Sequence, residues 1–388
     1  MIALLLLPFV IALLILIYRF IRRFFKENRI DSYFSYLVGI FLFSGIILSL
    51  LGFVLNNTIL KRVFTRLSFY WLGILLYFVL SFTFVLIITS LIRLIQRRKK
   101  MNYIYDKFAL VFVLLFTIIM STFGIVNAHK IYVTNYSVNV NKKSNLDHLN
   151  ICLVADLHLG YNSGVKEVKD IVDKINSLNS DIVLIAGDIF DNEYEALENP
   201  DKLISLLRNI ETKYGVYAVL GNHDIDEKIL MGFTFSKGKE VSIDKRMLEF
   251  LDKAKINVLY DEQTNIDNIC IYGRPDNSKI NFNKDKRNNV DDILKQLDID
   301  NINIILEHEP VDAELLSKNG VDLYLNGHTH NGQIWPGTLT INLFWDNAYG
   351  YKQYQNMHNI VTSGVGLFGP NMRLGSKAEI CDISISFN

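Results

Sequence analysis

Ile182-Val183-Leu184-Ile185-Ala186-Gly187-Asp188-Ile189-Phe190-Asp191 passes from five apolar residues, mostly β-branched or Leu, straight into a polar turn. A short apolar run bounded by turn residues reads as a buried strand. The same pattern recurs along the rear of the chain. Run 151–155 is followed by Asp156-Leu157-His158, run 217–220 by Gly221-Asn222-His223-Asp224, and run 302–306 by Glu307-His308-Glu309-Pro310. Run 323–325 is followed by Asn326-Gly327-His328-Thr329-His330. Between these runs, 165–178, 200–210, 245–254 and 312–318 carry apolar residues at helical spacing. The alternation predicts an α/β domain with a layered sheet core.

Functional sites in α/β sheets gather outside the carboxyl ends of the strands. Five of the eight histidines lie just past these predicted ends, beside Asp and Asn. Any one of them alone reads as an ordinary core or surface histidine; together they read as a metal site. Carboxylate, amide and imidazole ligands suit Mn, Fe or Zn better than a thiolate-seeking metal. A Gly ahead of three of the ligand groups is expected to permit the tight strand-to-loop turn.

In this order, D-L-H, G-D-I-F-D, G-N-H-D, the isolated His308 and G-H-T-H resemble the calcineurin-like metallophosphoesterases over about residues 150–385. Gly332-Gln333 and the tail from Thr362-Ser363-Gly364-Val365-Gly366 through Pro370 and Arg373 resemble the bacterial membrane-associated branch that includes lipid-precursor pyrophosphate hydrolases. The resemblance implies a four-layer αββα sandwich holding two divalent metal ions. One would be held by Asp156, His158, Asp188 and His330, the other by Asp188, Asn222, His308 and His328, with Asp188 bridging. It further implies His223 as the catalytic histidine and Asp191 as the carboxylate that orients it. Two dications about 3.5–4 Å apart can share a hydroxide and clamp the oxygens of an in-line displacement at phosphorus. Cleavage of a phosphoester, phosphodiester or pyrophosphate by that bridging hydroxide is the expected reaction.

Three departures from the family pattern stand out. Asn331 replaces the Gly usual after G-H-T-H, Glu309 adds an acid beside His308, and Asn192 stands where some protein phosphatases carry a phosphate-binding Arg. The last argues against phosphoprotein substrates. Arg373 and Arg274 are the remaining candidates to grip a phosphate.

The front of the chain is different in kind. Residues 1–130 hold fifteen Lys/Arg against three acids, and the rest holds 25 against 37, so the neutral total of 40 against 40 conceals two opposite halves. Four uncharged apolar runs, about 2–18, 33–55, 67–92 and 108–126, are each read as membrane helices at about 20 residues per span. The first has no charged start or cleavage signature and is read as retained. This gives a transmembrane module at 1–126, a linker at 127–149 that contributes an extra strand near 131–138, and the α/β domain at 150–388. Loop 19–32 carries five basic residues (Arg19, Arg22, Arg23, Lys26, Arg29), loop 93–107 carries six (Arg93, Arg97, Arg98, Lys99, Lys100, Lys107) and loop 56–66 carries three (Lys61, Arg62, Arg66). The bias places the first two loops in the cytoplasm and the catalytic domain outside it, in a multi-pass protein of the cell membrane.

Composition narrows the partners. The acidic rear lacks the clustered Lys/Arg that a nucleic-acid surface requires. The 50% hydrophobic content excludes disorder. Cys152, Cys270 and Cys381 lie inside apolar runs and read as buried, inert thiols. Residues 276–291 are the most loop-like stretch. Trp335, Phe344, Trp345, Tyr349, Tyr351 and Phe368 read as core aromatics, with an apolar lip for acyl or isoprenoid chains as the second reading. The expected partners are the bilayer and a phosphorylated small-molecule or lipid-linked substrate; no protein partner is inferable. A non-enzymatic membrane sensor or scaffold that keeps the fold is the alternative, opposed by the complete ligand set. A transporter is disfavoured because no ionisable residue falls inside the apolar runs.

Overall fold

The structure is a computed structural model and describes residues 2–27, 32–56, 58–96, 103–230, 233–235, 243–276 and 287–388. It divides into two compact units, one formed by Met1–Val126 with Lys228–Lys237 and Gly369–Met372, the other by Asn127–Glu227, Gly238–Phe368 and Arg373–Asn388.

The first unit begins with helices α1 (Ile2–Glu27), α2 (Ser32–Val54), α3 (Thr58–Ile95) and α4 (Tyr103–Ala128). Three segments, Tyr33–Val54, Ile59–Ile95 and Lys107–Ala128, are long and apolar enough to cross a membrane. Inside the unit, Leu14, Ile21, Phe25, Leu42, Trp71, Phe78 and Val113 are buried against one another, while Leu51, Leu91 and Ile118 face outward. Polar atoms among these helices find partners: Trp71 Nε1 donates to the Phe41 carbonyl at 2.7 Å, and Ser81 Oγ lies 3.2 Å from Thr117 Oγ1. Helix α3 starts well before the expected span, so Lys61, Arg62 and Arg66 sit in its first turns and not in a loop. Lys and Arg are good helix formers whose long stems let the charge reach water, so they continue a helix past the apolar limit. Arg29, Arg97, Arg98, Lys99 and Lys100 lie outside the described residues.

The second unit holds two six-stranded sheets. In chain order its elements are β1 (Ile131–Val140), β2 (His148–Val154), α5 (Val165–Asn176), β3 (Ile182–Ala186), α6 (Pro200–Leu207) and β4 (Val216–Val219). A short hairpin, β5 (Lys228–Leu230) and β6 (Phe233–Phe235), belongs to the first unit. Then come α7 (Lys245–Lys253), β7 (Ile256–Val258), β8 (Glu262–Ile266), β9 (Ile269–Arg274), α8 (Val290–Leu294) and β10 (Ile302–Glu307). The chain ends with α9 (Ala313–Ser317), β11 (Leu323–Asn326), α10 (Gly337–Thr340), β12 (Gly350–Tyr354), β13 (Met357–Val361) and β14 (Ala378–Phe387). The first sheet has the order β1-β14-β2-β3-β4-β7 and the second β12-β13-β11-β10-β9-β8. Strands β2, β3, β4 and β7 are mutually parallel, as are β9, β10, β11 and β13. Parallel strands covered on both faces are apolar throughout, which is why β3 shows no polar alternation.

Successive side chains on a strand point to opposite faces, and this period sorts the core into layers. From β2 and β3, Ile151, Leu153, Ile182 and Leu184 meet Ile271, Ile304, Leu306 and Leu325 of the second sheet. Their neighbours Cys152, Val154, Val183 and Ile185 pack on the other face against Val168 and Ile171 of α5, Leu203 of α6 and Phe250 of α7. On the far side, Tyr272, Ile305 and Tyr324 pack against Ile293 of α8 and Leu316 of α9. Each fully buried aliphatic side chain contributes about 1.5–3 kcal/mol. Helix α5 shows why the outer layer forms: Val168, Ile171, Val172 and Ile175 fall on one buried stripe, and Glu167 Oε2 accepts the Gly164 N–H at 3.0 Å to cap its start.

Residues 127–149 are more than a connection. Strand β1 pairs in parallel with β14 from Ile131↔Ala378 to Val140↔Phe387, so the chain's entry to the domain is an edge strand of the first sheet. Of the loop-like stretch 276–291, residues 277–286 lie outside the described residues, and α8 begins at its end. All three cysteines are buried and free, and burial pushes the Cys152 thiol well above its usual range.

Candidate metal centre

The carboxyl ends of β2, β3 and β4 in one sheet and β10 and β11 in the other open onto a single site. The turns are cross-linked: Asp156 N–H donates to the Gly187 carbonyl at 3.0 Å, His158 N–H to the Asp188 carbonyl at 3.0 Å, and Gly327 N–H to the His308 carbonyl at 3.0 Å. Asp156 (φ 55°), His158 (44°), Asp188 (49°), His328 (73°) and His330 (50°) all occupy the left-handed region. Five such residues at one site is a concentration of uncommon backbone geometry of the kind found where function fixes side-chain aim.

Glycine serves here in two ways. Gly187 has φ 78°, and a Cβ on it would stand 2.7 Å from His308 Nδ1. Gly221 has no left-handed requirement; its bare Cα leaves room for the Asp188 carboxylate. The expectation that these glycines all serve to turn the chain is thus corrected for Gly221, which is a matter of space.

Two groups of donor atoms converge, Asp156/His158/His330 and Asp188/His308/His328, each with its atoms within 4.8 Å of one another. In the first, His158 Nε2 is 3.1 Å from His330 Nε2, which is 3.5 Å from Asp156 Oδ1. In the second, His308 Nε2 is 3.0 Å from Asp188 Oδ2 and 3.1 Å from His328 Nδ1, which is 3.0 Å from Asn222 Oδ1. Asp188 Oδ2 also lies 3.8 Å from His158 Nε2, between the two groups. The His308 ring donates from Nδ1 to the Ala186 carbonyl at 2.7 Å, which leaves the Nε2 lone pair facing the site.

The electrostatics follow from packing carboxylates and imidazoles out of water. Burial by itself would raise Asp188, but His308, His223 and His158 around it hold its carboxyl well below the usual range. Burial, only partly offset by His308, pushes Asp156 up to about 6. Burial and the neighbouring His308 lower His328 to about 3, and burial, His158 and Arg373 lower His330 well below its usual range. Burial would likewise lower His308 and His158, but Asp188 holds His308 well above its usual range and Asp191 raises His158. Carboxylates and imidazoles are a donor set that fits divalent cations, whose binding releases the protons the imidazoles carry.

Three expected roles change. Asp191 does not orient His223. His223 Nδ1 lies 2.5 Å from Asn192 Oδ1, whereas Asp191 Oδ1 lies 3.7 Å from Nδ1 of His158. The reason is local: Asn192 takes a left-handed conformation (φ 63°), which puts its side chain on the histidine's side of the turn. Arg373 is not a phosphate grip. It is fully buried, its Nη2 converges on the carbonyls of Ser363, Gly364 and Gly366 at 2.8–3.0 Å, and its Nη1 reaches Ser376 Oγ at 3.3 Å. Arg274 is spent likewise, bridging Glu307 at 3.0 Å and Asp312 at 2.9 Å.

Sequence reasoning also missed Asp224 as a clamp. Its carboxylate accepts the Phe190 and Gly221 N–H groups at 2.7 Å each, tying the turn after β3 to the turn after β4. The G-N-H-D motif contained the signal. Glu309, noted only as a departure, faces the site with Oε1 3.7 Å from His328 Nε2, and burial and Asp276 push it up to about 7. The aromatic region is only partly core: Trp335, Phe344 (77%) and Tyr351 are exposed, Tyr349 and Phe368 are half-buried, and the half-buried Trp345 packs its ring 5.1 Å from that of His328.

Residues 149–332 match the sequence model of the calcineurin-like phosphoesterase family. The match covers just under half of the chain and identifies that part as a calcineurin-like phosphoesterase domain. It is similar to a transmembrane protein with metallophosphoesterase domain from Danio rerio, 29% identical over 70% of this chain and 62% of the relative. It is also similar to an uncharacterized metallophosphoesterase of Campylobacter jejuni (28%, over 64% of this chain and 62% of the relative). An uncharacterized metallophosphoesterase of Aquifex aeolicus is 27% identical over 69% of this chain and 97% of its own length. The chain thus spans about three fifths of the length of the first two relatives.

Proposed function

We propose that the protein is a membrane-anchored phosphohydrolase that uses two divalent cations to cleave a phosphoester, phosphodiester or pyrophosphate bond in a lipid-linked substrate. The observation that carries the reading is the position of Asp188 between two separate groups of buried ligands, with His223 beside them. Asp156, His158, Asp188 and His330 would hold one ion, and Asp188, Asn222, His308 and His328 the other. Such a pair lowers the pKa of water and neutralises charge on the oxygens around phosphorus, whichever of Mn, Fe or Zn is bound. An anionic bridging ligand suits two adjacent dications because it offsets their repulsion. Asp188 is also fixed from behind, its Oδ1 accepting the His223 N–H at 2.8 Å. That bond ties the bridging ligand to the histidine that would hand a proton to the leaving oxygen.

The lipid-linked substrate is supported by two features. The chain carries three membrane-length helices. In the segment after His330, Trp335, Leu339, Leu343 and Phe344 expose apolar surface, and the adjoining Trp345 packs against His328. Apolar chains of a substrate fit that surface while its phosphate meets the ligands. The first helix is read as a fourth span from its uncharged apolar run, and a catalytic domain outside the cytoplasm from the Lys/Arg bias. Protease added to intact cells should then remove a tag placed at the C-terminus; full protection would place the domain inside.

The direct test is hydrolysis of bis(p-nitrophenyl) phosphate by the full chain in detergent, with and without Mn²⁺. Turnover that requires the metal and is lost in Asp188→Asn and His223→Ala is the expected result. Absence of turnover in protein that binds two ions would refute general diesterase activity.

A further inference from the structure

We infer that Asn192 is the positioning residue for His223, holding the ring through a neutral amide in place of a carboxylate; this rests on the phosphoesterase reading above. Asn192 is fully buried and grips His223 twice. Its backbone N–H donates to the His223 carbonyl at 3.0 Å, and its Oδ1 stands 2.5 Å from His223 Nδ1. The left-handed backbone at φ 63° makes the double grip possible, and Asn is among the few residues that adopt it readily. With Oδ1 as acceptor, Nδ1 keeps its hydrogen in both the neutral and the protonated ring, so Nε2 is the nitrogen that takes up and releases the exchangeable proton. Phe368 packs its ring 4.5 Å from the His223 ring and limits rotation from a second side.

The chemical consequence differs from that of a carboxylate partner. An acid beside an imidazole both orients it and favours its protonated form through charge; an amide oxygen orients it with far less bias. The carboxylate that could have taken this place, Asp191, is turned toward His158, and neither of its oxygens has a hydrogen-bond partner among the described residues. The turn after β3 therefore divides two tasks between adjacent residues, Asp191 facing a metal ligand and Asn192 facing the proton donor.

The test uses the full chain in detergent with Mn²⁺ and a series of aryl phosphodiesters whose leaving phenols differ in acidity. Asn192→Ala, Asn192→Asp, His223→Ala and the double variant Asn192→Ala/His223→Ala are compared, and bound metal is counted by mass spectrometry. Asn192→Ala is expected to lower kcat about 10- to 100-fold, less than the roughly 100- to 10,000-fold that a general acid as a whole contributes. The loss should grow as the phenol becomes less acidic, bound metal should stay unchanged, and Asn192→Asp should recover most of the rate. In the His223→Ala background, Asn192→Ala should cost nothing further, since a residue acting through another has no effect once that other is gone. Equal loss for every phenol, additive loss in the double variant, or loss of bound metal would each overturn the inference. If His223→Ala lowers kcat and Asn192→Ala does not, the inference alone fails. If His223→Ala leaves kcat unchanged, the role of His223 in the proposed function fails and this inference with it.

Discussion

Asp191 Oδ1 lies 3.7 Å from His158 Nδ1, with both residues buried and the opposite ring nitrogen of His158 facing His330 and Asp188. A carboxylate hydrogen-bonded behind a ligating histidine fixes its tautomer and raises its basicity, and losing it typically costs about 10- to 100-fold in metal affinity. At 3.7 Å Asp191 acts on His158 through charge and not through a hydrogen bond, so Asp191→Ala should weaken metal binding by less than that factor, read by calorimetric titration of the metal-stripped protein. Excess metal should restore most of the rate. A variant with unchanged affinity would show that the contact is without effect.

Metal removal should be felt in stability as well as activity. Asp156 and Asp188 are buried close together, offset by imidazoles and, for Asp156, by Arg373. A ligand that binds only the folded state adds about 2.7 kcal/mol at a hundred times its Kd. Chelation should lower the melting temperature of the domain, and Mn²⁺ should return it.

Arg373 should behave as a structural residue. Arg373→Ala would leave three carbonyls of the 363–366 turn without their donor, at about 1–3 kcal/mol for each buried group left unsatisfied. The expected result is a lower melting temperature with KM for bis(p-nitrophenyl) phosphate little changed in the protein that remains folded. A large rise in KM with normal stability would return Arg373 to the substrate.

Glu307 sits fully buried between Arg274, Arg287 and the Tyr324 hydroxyl, directly before His308. Removing one partner of a buried ion pair costs about 3–5 kcal/mol because the other charge is left uncompensated. Glu307→Ala should show that loss in thermal denaturation.

The exposed apolar segment makes the opposite prediction. Leu343→Asp/Phe344→Asp alters side chains that are 80% and 77% exposed, so stability should change by no more than about 0.5 kcal/mol. Hydrolysis of bis(p-nitrophenyl) phosphate should be unaffected. Hydrolysis of a phospholipid-like diester in mixed micelles should fall, by about 10-fold if the two side chains carry the acyl contact. Equal rates on both substrates would remove the case for a lipid-binding lip.

Much of this protein was legible along the chain because the information is local. A strand buried on both faces must be apolar at every position, so β3 and β10 declare themselves, and their ends are marked by the Asp, Asn and His that follow. Helix α5 carries its buried stripe and its Glu167 cap within a dozen residues. The long apolar runs of α2 and α4 are likewise set by the thickness of a bilayer. What was not legible depends on side-chain direction and on distant partners. Asp191 and Asn192 are neighbours, and which of them meets His223 is decided by one left-handed residue at the turn. Arg373 looks free in a Gly-rich tail, yet packing brings three carbonyls around it. Phe344 and Leu343 have the composition of core residues, and only the placement of α10 and the turn after it leaves them outside.

The amino-acid sequence by itself determined the two halves, the order of the strands along the chain and the set of ligand side chains, since each is dictated by local hydropathy, period and residue chemistry. The tertiary structure alone decided which ligands share a site, that β1 completes the first sheet against β14, and which polar groups are consumed in holding the turns. Those outcomes rest on contacts between residues far apart in the chain, where closeness in space is settled by packing two sheets face to face and not by any spacing along the sequence.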